Sequence, residues 1–62
     1  MPLIHVYMYE GRPVEQKKKL VVAITDAVVK ALDIKPEAVR IMLHDNPKHN
    51  FAVAGVLSSE KK

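Results

Sequence analysis

Two stretches of two-residue alternation, set on either side of a long stretch with helical periodicity, leave this chain few ways to fold. Leu3 to Tyr9 alternates, with Ile4, Val6 and Met8 on one face and Leu3, His5, Tyr7 and Tyr9 on the other, which predicts a strand. Glu10-Gly11-Arg12-Pro13 breaks it, and Pro13 suits the first position of a helix running from about Val14 to Leu32. Such a helix is roughly 28 Å long. Leu20, Val21, Ile24, Ala27, Val28, Ala31 and Leu32 make one broad apolar stripe along it, while Glu15, Lys19, Asp26 and Lys30 face away. Asp33 to Glu37, with Pro36, ends the helix. Val39 to His44 then alternates again, Val39, Ile41 and Leu43 against Arg40, Met42 and His44. A strand, a crossover helix of this length and a second strand make a βαβ unit with parallel strands. After a polar loop from Asp45 to Asn50, the apolar stretch Phe51 to Leu57, with Gly55 inside it, predicts a short hairpin or bulge, and Ser58 to Lys62 a mobile tail. The fold class is α+β, in a single domain over residues 1–62.

So little chain needs outside support. A 62-residue fold buries only about 60% of the surface its unfolded form exposes. It has no cysteine for disulfides or thiolate metal sites, which leaves oligomerisation as the usual remedy. Two strands and one helix are also too little sheet to stand alone, so the unit is expected to pair edge to edge with another copy. An oligomer of such pairs would bury the mixed strand faces carrying Leu3, Tyr7 and Met42. Val22 and Val29 lie off the helical stripe and are candidates for cover by a second subunit.

Composition removes several function classes. An apolar share of 48% is too high for a disordered chain. No apolar run approaches the roughly 20 residues that span a bilayer, and the N-terminus lacks a signal-peptide pattern, so a cytoplasmic protein without membrane partners is expected. The formal charge is +3, but Lys17 to Lys19, Lys30, Lys35, Lys48, Lys61 and Lys62 are spread over helix, loops and tail. No aromatic residues interleave with them, and no recognition helix is apparent, so nucleic acid is not expected as a partner. His5, His44 and His49 have no Cys partners and read as surface or loop histidines, not metal ligands.

The residues that could carry chemistry are few. Pro2 follows the initiator methionine, and a small second residue is the condition under which Met1 is normally trimmed. Trimming would leave a secondary amine, a base already in place. Nearby cations and burial both disfavour the charged form of such an amine, and Arg12, Arg40 and an apolar wall such as Phe51 could supply them. Arg12 and Arg40 each stand at an element boundary, and the planar guanidinium fork suits carboxylates far better than lysine does.

Taken together, Pro2, Glu10-Gly11-Arg12, Glu15-Gln16-Lys17, Val39-Arg40 and His49-Asn50-Phe51 through Gly55 resemble the 4-oxalocrotonate tautomerase family. The resemblance covers essentially the whole chain. It implies a βαβ subunit assembled as dimers and then as a hexamer of three dimers. It also implies a catalytic role for Pro2, as general base, and for Arg40, with Arg12, Arg40 and Phe51 binding a small carboxylate substrate. Neutral Pro2 would take a proton from the enol hydroxyl of a molecule such as 2-hydroxymuconate and return it to a distant carbon. Arg40 would hold the near carboxylate and the developing oxyanion, Arg12 the far carboxylate, and Phe51 would keep the site dry. No metal or organic cofactor is implied. Two departures stand out: Ala52 and Ala54 where glycines are common in the family's late hairpin, and Pro13 where a polar helix-capping residue is often found.

Two rival readings remain at the level of sequence. One is a non-catalytic, basic βαβ binding module, which would not catalyse ketonisation of a test enol. The other is a paralogue that adds water to an unsaturated acid, in the manner of haloacrylate dehalogenases. Hydration needs a carboxylate placed to activate water, and Glu10, Glu15, Asp45 and Glu60 sit in turns, a helix start and loops.

Overall fold

The computed structural model describes residues 2–60; the expectations for Met1, and for Lys61 and Lys62 at the end of the tail, lie outside the described residues. Strand β1 (Leu3–Tyr9), helix α1 (Val14–Leu32) and strand β2 (Arg40–Asn46) form the βαβ unit. The two strands are parallel, in an unbroken register from Leu3 opposite Arg40 to Tyr9 opposite Asn46. A separate antiparallel hairpin follows, strand β3 (Ala52–Val53) against strand β4 (Val56–Leu57). Short 3-10 turns at Pro36–Ala38, Lys48–Asn50 and Ser58–Glu60 make the connections and the end.

The alternation of β1 is realised as read: Ile4, Val6 and Met8 are half-buried while Leu3, His5, Tyr7 and Tyr9 are exposed. The helix stripe is rotated from the expected one. Leu20, Val21, Ile24 and Val28 are half-buried, but Ala27, Ala31 and Leu32 are exposed, and Lys17, Thr25 and Val29 are half-buried in their stead. The cause is width. Two strands set about 4.8 Å apart cannot cover both flanks of a helix about 10 Å across. Val29 is half-buried whereas Val22, earlier on nearly the same flank of the helix, is 59% accessible.

Three boundaries differ from the sequence reading. Pro13 is the residue before the helix, in extended backbone (φ −71°, ψ 159°), and its carbonyl accepts from the N–H groups of Gln16 and Lys17 at 3.1 and 3.3 Å. β2 starts one residue later than expected and runs on through Asp45 and Asn46. Lys17 on the helix pairs with Asp45, and the Asn46 carbonyl accepts the Glu10 N–H at 3.0 Å, so both residues gain partners by staying extended. Ser58–Glu60 is an ordered turn where a tail was expected, because the Ser58 N–H donates to the Phe51 carbonyl at 2.8 Å and its hydroxyl bonds to Tyr9. At the far end of the helix, Asp33 adopts left-handed backbone (φ 54°), and its N–H and that of Ile34 both reach the Val29 carbonyl.

A single subunit has no core. No described residue is buried, and Leu3, Tyr7 and Met42 expose 59%, 69% and 52% of their surfaces on the side of the sheet away from the helix. The radius of gyration is 14.8 Å, against about 11 Å for a compact chain of this length. These are the proportions of a part built to be covered.

Candidate active site

The four residues singled out from sequence fall into two groups at opposite ends of the sheet. Pro2 and Arg40 are neighbours: the Arg40 N–H donates to the Pro2 carbonyl at 3.2 Å, at the point where β1 and β2 begin. Pro2 is half-buried and Arg40 exposed. Arg12 and Phe51 come together at the other end. With Tyr7, Met8, Tyr9 and Asn46 they line a cavity of about 390 Å³. Arg12 also borders a recess of about 470 Å³ between sheet and helix, lined by Val6, Met8, Gln16, Lys17, Lys19 and Leu20.

The turn between β1 and the helix sets Arg12 at that edge. Gly11 takes a φ of +109°, which a side chain would resist, and swings the chain from strand to helix within a few residues. The Arg12 guanidinium donates to Gln16 Oε1 at 3.3 Å, one helical turn on. That is a weak tether to a neutral group. Among the described residues the ion pairs are Lys17–Asp45 and Lys18–Glu15, so neither Arg12 nor Arg40 has a carboxylate partner. Two uncompensated guanidinium groups, each at a sheet end, suit an anionic ligand.

Phe51 follows the Lys48–Asn50 turn, half-exposed, and its ring meets that of Tyr9 edge-on at 5.9 Å between centroids. Tyr9 is the residue that sequence reasoning did not single out. It closes β1, its hydroxyl bonds to Ser58 Oγ, and the Lys48 ammonium lies 5.8 Å from its ring centre. The alternation that placed Tyr9 on the open face was visible; the partner was not. Lys17, one of the lysines spread along the chain, is half-buried and reaches across to Asp45. His44 faces His5 nitrogen to nitrogen at 2.7 Å under a stacked Tyr7. Among the described residues no three His, Cys, Asp or Glu side chains gather as a metal site.

β1 spans seven residues, roughly 23 Å at about 3.3 Å per residue. No arginine side chain bridges that, so within one chain the Pro2–Arg40 group and the Arg12–Phe51 group do not meet.

A family model described as tautomerase enzyme matches residues 2–61. The chain belongs to the tautomerase family. A 2-hydroxymuconate tautomerase of Comamonas testosteroni is 43% identical over 60 residues, covering 97% of this tautomerase and 95% of its relative. Among solved structures, a 4-oxalocrotonate tautomerase isozyme from Methylibium petroleiphilum superposes with a TM-score of 0.90 at 45% identity, over 94% of this chain and 91% of that one. A heterohexamer 4-oxalocrotonate tautomerase from Chloroflexus aurantiacus matches over the full length of both chains with a TM-score of 0.92 at 32% identity. The protein is thus an enzyme of the isomerase type with the tautomerase βαβ fold. Among the described residues no helix is long and apolar enough to cross a membrane.

Proposed function

We propose that this tautomerase moves a proton within unsaturated dicarboxylates of the 2-hydroxymuconate kind, with the Pro2 amine as general base once Met1 is removed. The observation that carries the reading is the pair of arginines without carboxylate partners, one beside Pro2 and one beside Phe51. A substrate with a carboxylate at each end satisfies both. The name of the Comamonas relative, a 2-hydroxymuconate tautomerase, supports the same class.

In this mechanism the neutral Pro2 nitrogen takes the enol proton and returns it to carbon further along the conjugated chain. Arg40, at the same sheet end, binds the near carboxylate and the oxyanion that develops beside it. A guanidinium brought beside the proline nitrogen in the assembled site would also keep the amine neutral and therefore basic. Arg12 holds the far carboxylate, and the rings of Phe51 and Tyr9 exclude water, which strengthens each charge-assisted hydrogen bond. Because the two groups lie at opposite ends of one sheet, the complete site is assembled from more than one subunit. A homo-oligomer follows, in which two sheets pair edge to edge and three such dimers close into a hexamer around the exposed faces of Leu3, Tyr7 and Met42. The family's heterohexamer supports that number of subunits.

The experiment pairs intact-mass measurement with turnover of 2-hydroxymuconate. Active protein is expected to lack Met1, and any residue added before Pro2 is expected to abolish activity, because an acylated proline nitrogen cannot accept a proton. Full activity in material of which every chain carries Met1 would rule out the proline base.

A further inference from the structure

The C-terminal hairpin has little of its own to hold it in place. Each of its strands is two residues long, and it forms a sheet separate from the parallel pair. Phe51, which the proposed function makes the wall of the site, stands at the entry to this hairpin. Among the described residues, the hydrogen bond that ties the hairpin segment to the βαβ unit runs between the Tyr9 hydroxyl and Ser58 Oγ. Ser58 is bonded twice, since its backbone N–H also donates to the Phe51 carbonyl at 2.8 Å. One serine therefore links the end of β1 to the backbone of Phe51. The rings of Tyr9 and Phe51 meet edge-on at 5.9 Å and an interplanar angle of 79°, and the Lys48 ammonium, three residues before Phe51, lies over the Tyr9 ring.

We propose that Tyr9 and Ser58 form a latch that holds Phe51 against the Arg12 end of the cavity, making both of them positioning residues for the substrate. The proposal rests on the assignment of that cavity to substrate binding. Tyr9 suits the task because it is the last residue of a strand fixed by its register against Asn46. A hydroxyl on so fixed a ring is a firm anchor for a segment that lacks one.

The test uses Tyr9→Phe and Ser58→Ala, alone and combined, with Ser58→Thr as the conservative variant. Phe51 is the single phenylalanine of the unsubstituted chain and of its Ser58 variants, so incorporation of para-fluorophenylalanine into these gives one fluorine NMR signal that reports its setting in the resting protein; Tyr9→Phe and the combined variant, which add a second phenylalanine, are read by kinetics. Of the two single variants, Ser58→Ala is expected to shift or broaden that signal. Each should also raise KM for 2-hydroxymuconate about two- to ten-fold, the range set by the net contribution of one neutral hydrogen bond, while kcat changes little. The combined variant should be no worse than the singles, because both remove the same bond, and threonine should restore both readouts. A signal unmoved in Ser58→Ala overturns the latch, and an unmoved KM beside a moved signal overturns its role in substrate binding. Absence of turnover in the unsubstituted protein would instead contradict the proposed activity, and the fluorine signal would still decide the latch.

Discussion

At the scale of single residues, the guanidinium groups of Arg12 and Arg40 have no acidic partner among the described residues. Arg12→Ala and Arg40→Ala are each expected to cost on the order of 1.5–3 kcal/mol in turnover of a dicarboxylate, the worth of a hydrogen bond to a charged group. Both variants should keep the fold, since both side chains are exposed. Lysine should replace either poorly, because it offers a point charge where a planar fork is needed. Lys18, exposed and paired only with Glu15 at 3.7 Å, is the proper control, and Lys18→Ala should leave steady-state kinetics unchanged. If that substitution slowed the enzyme as much as loss of an arginine, a diffuse positive surface would be the better explanation. Pro2, Arg12, Arg40 and Phe51 were singled out in sequence by residue type, by place in the chain and by the resemblance to the family. Tyr9 was not, since its significance comes from Ser58, 49 residues away, and no local pattern joins the two.

At the scale of elements, periodicity was a good guide and partners were not. The limits of β1 and α1 follow from alternation and from the Gly11-Arg12-Pro13 break, which are local properties of the chain. β2 extended past its apolar pattern because Asp45 and Asn46 found partners on the helix and after β1, contacts that only the folded unit brings within reach. The hairpin turn holds a further consequence. Ala54 and Gly55 both have positive φ, 54° and 80°, the two-residue turn whose twist matches that of the strands it joins. Glycine takes this conformation freely, whereas alanine pays for left-handed backbone. Allowing for the greater freedom of glycine in the unfolded chain, Ala54→Gly is expected to stabilise the protein by about 0.5–1 kcal/mol. Chemical denaturation at one fixed subunit concentration measures it; a loss of stability would mean that the hairpin adopts another turn.

At the scale of the whole molecule, the absence of a buried side chain among the described residues and the separation of the candidate site residues into two groups bear on the same proposal, a site completed by a second copy. The sheet presents Pro2 and Arg40 at one end, Arg12 and Phe51 at the other, and a neighbouring copy set antiparallel along the sheet edge would bring one end of each chain to the other. A neighbouring copy was expected from the length of the chain and its lack of cysteine, and alternation marked the sheet face with Leu3, Tyr7 and Met42 as one for further copies to cover. Its placement depends on contacts between chains, which the periodicity of one chain does not encode. The most direct measurement of this arrangement is complementation between two defective chains. Pro2→Ala and Arg12→Ala proteins, each expected to be strongly impaired by itself, are denatured together in equal amounts and refolded so that subunits scramble. If assembly is random and symmetric, about a quarter of the sites then unite a native Pro2 with a native Arg12, and activity should rise clearly above that of either parent. Well-folded mixed oligomers that recover no activity would contradict a site shared between subunits, and the assignment of Arg12 to the substrate would fall with it.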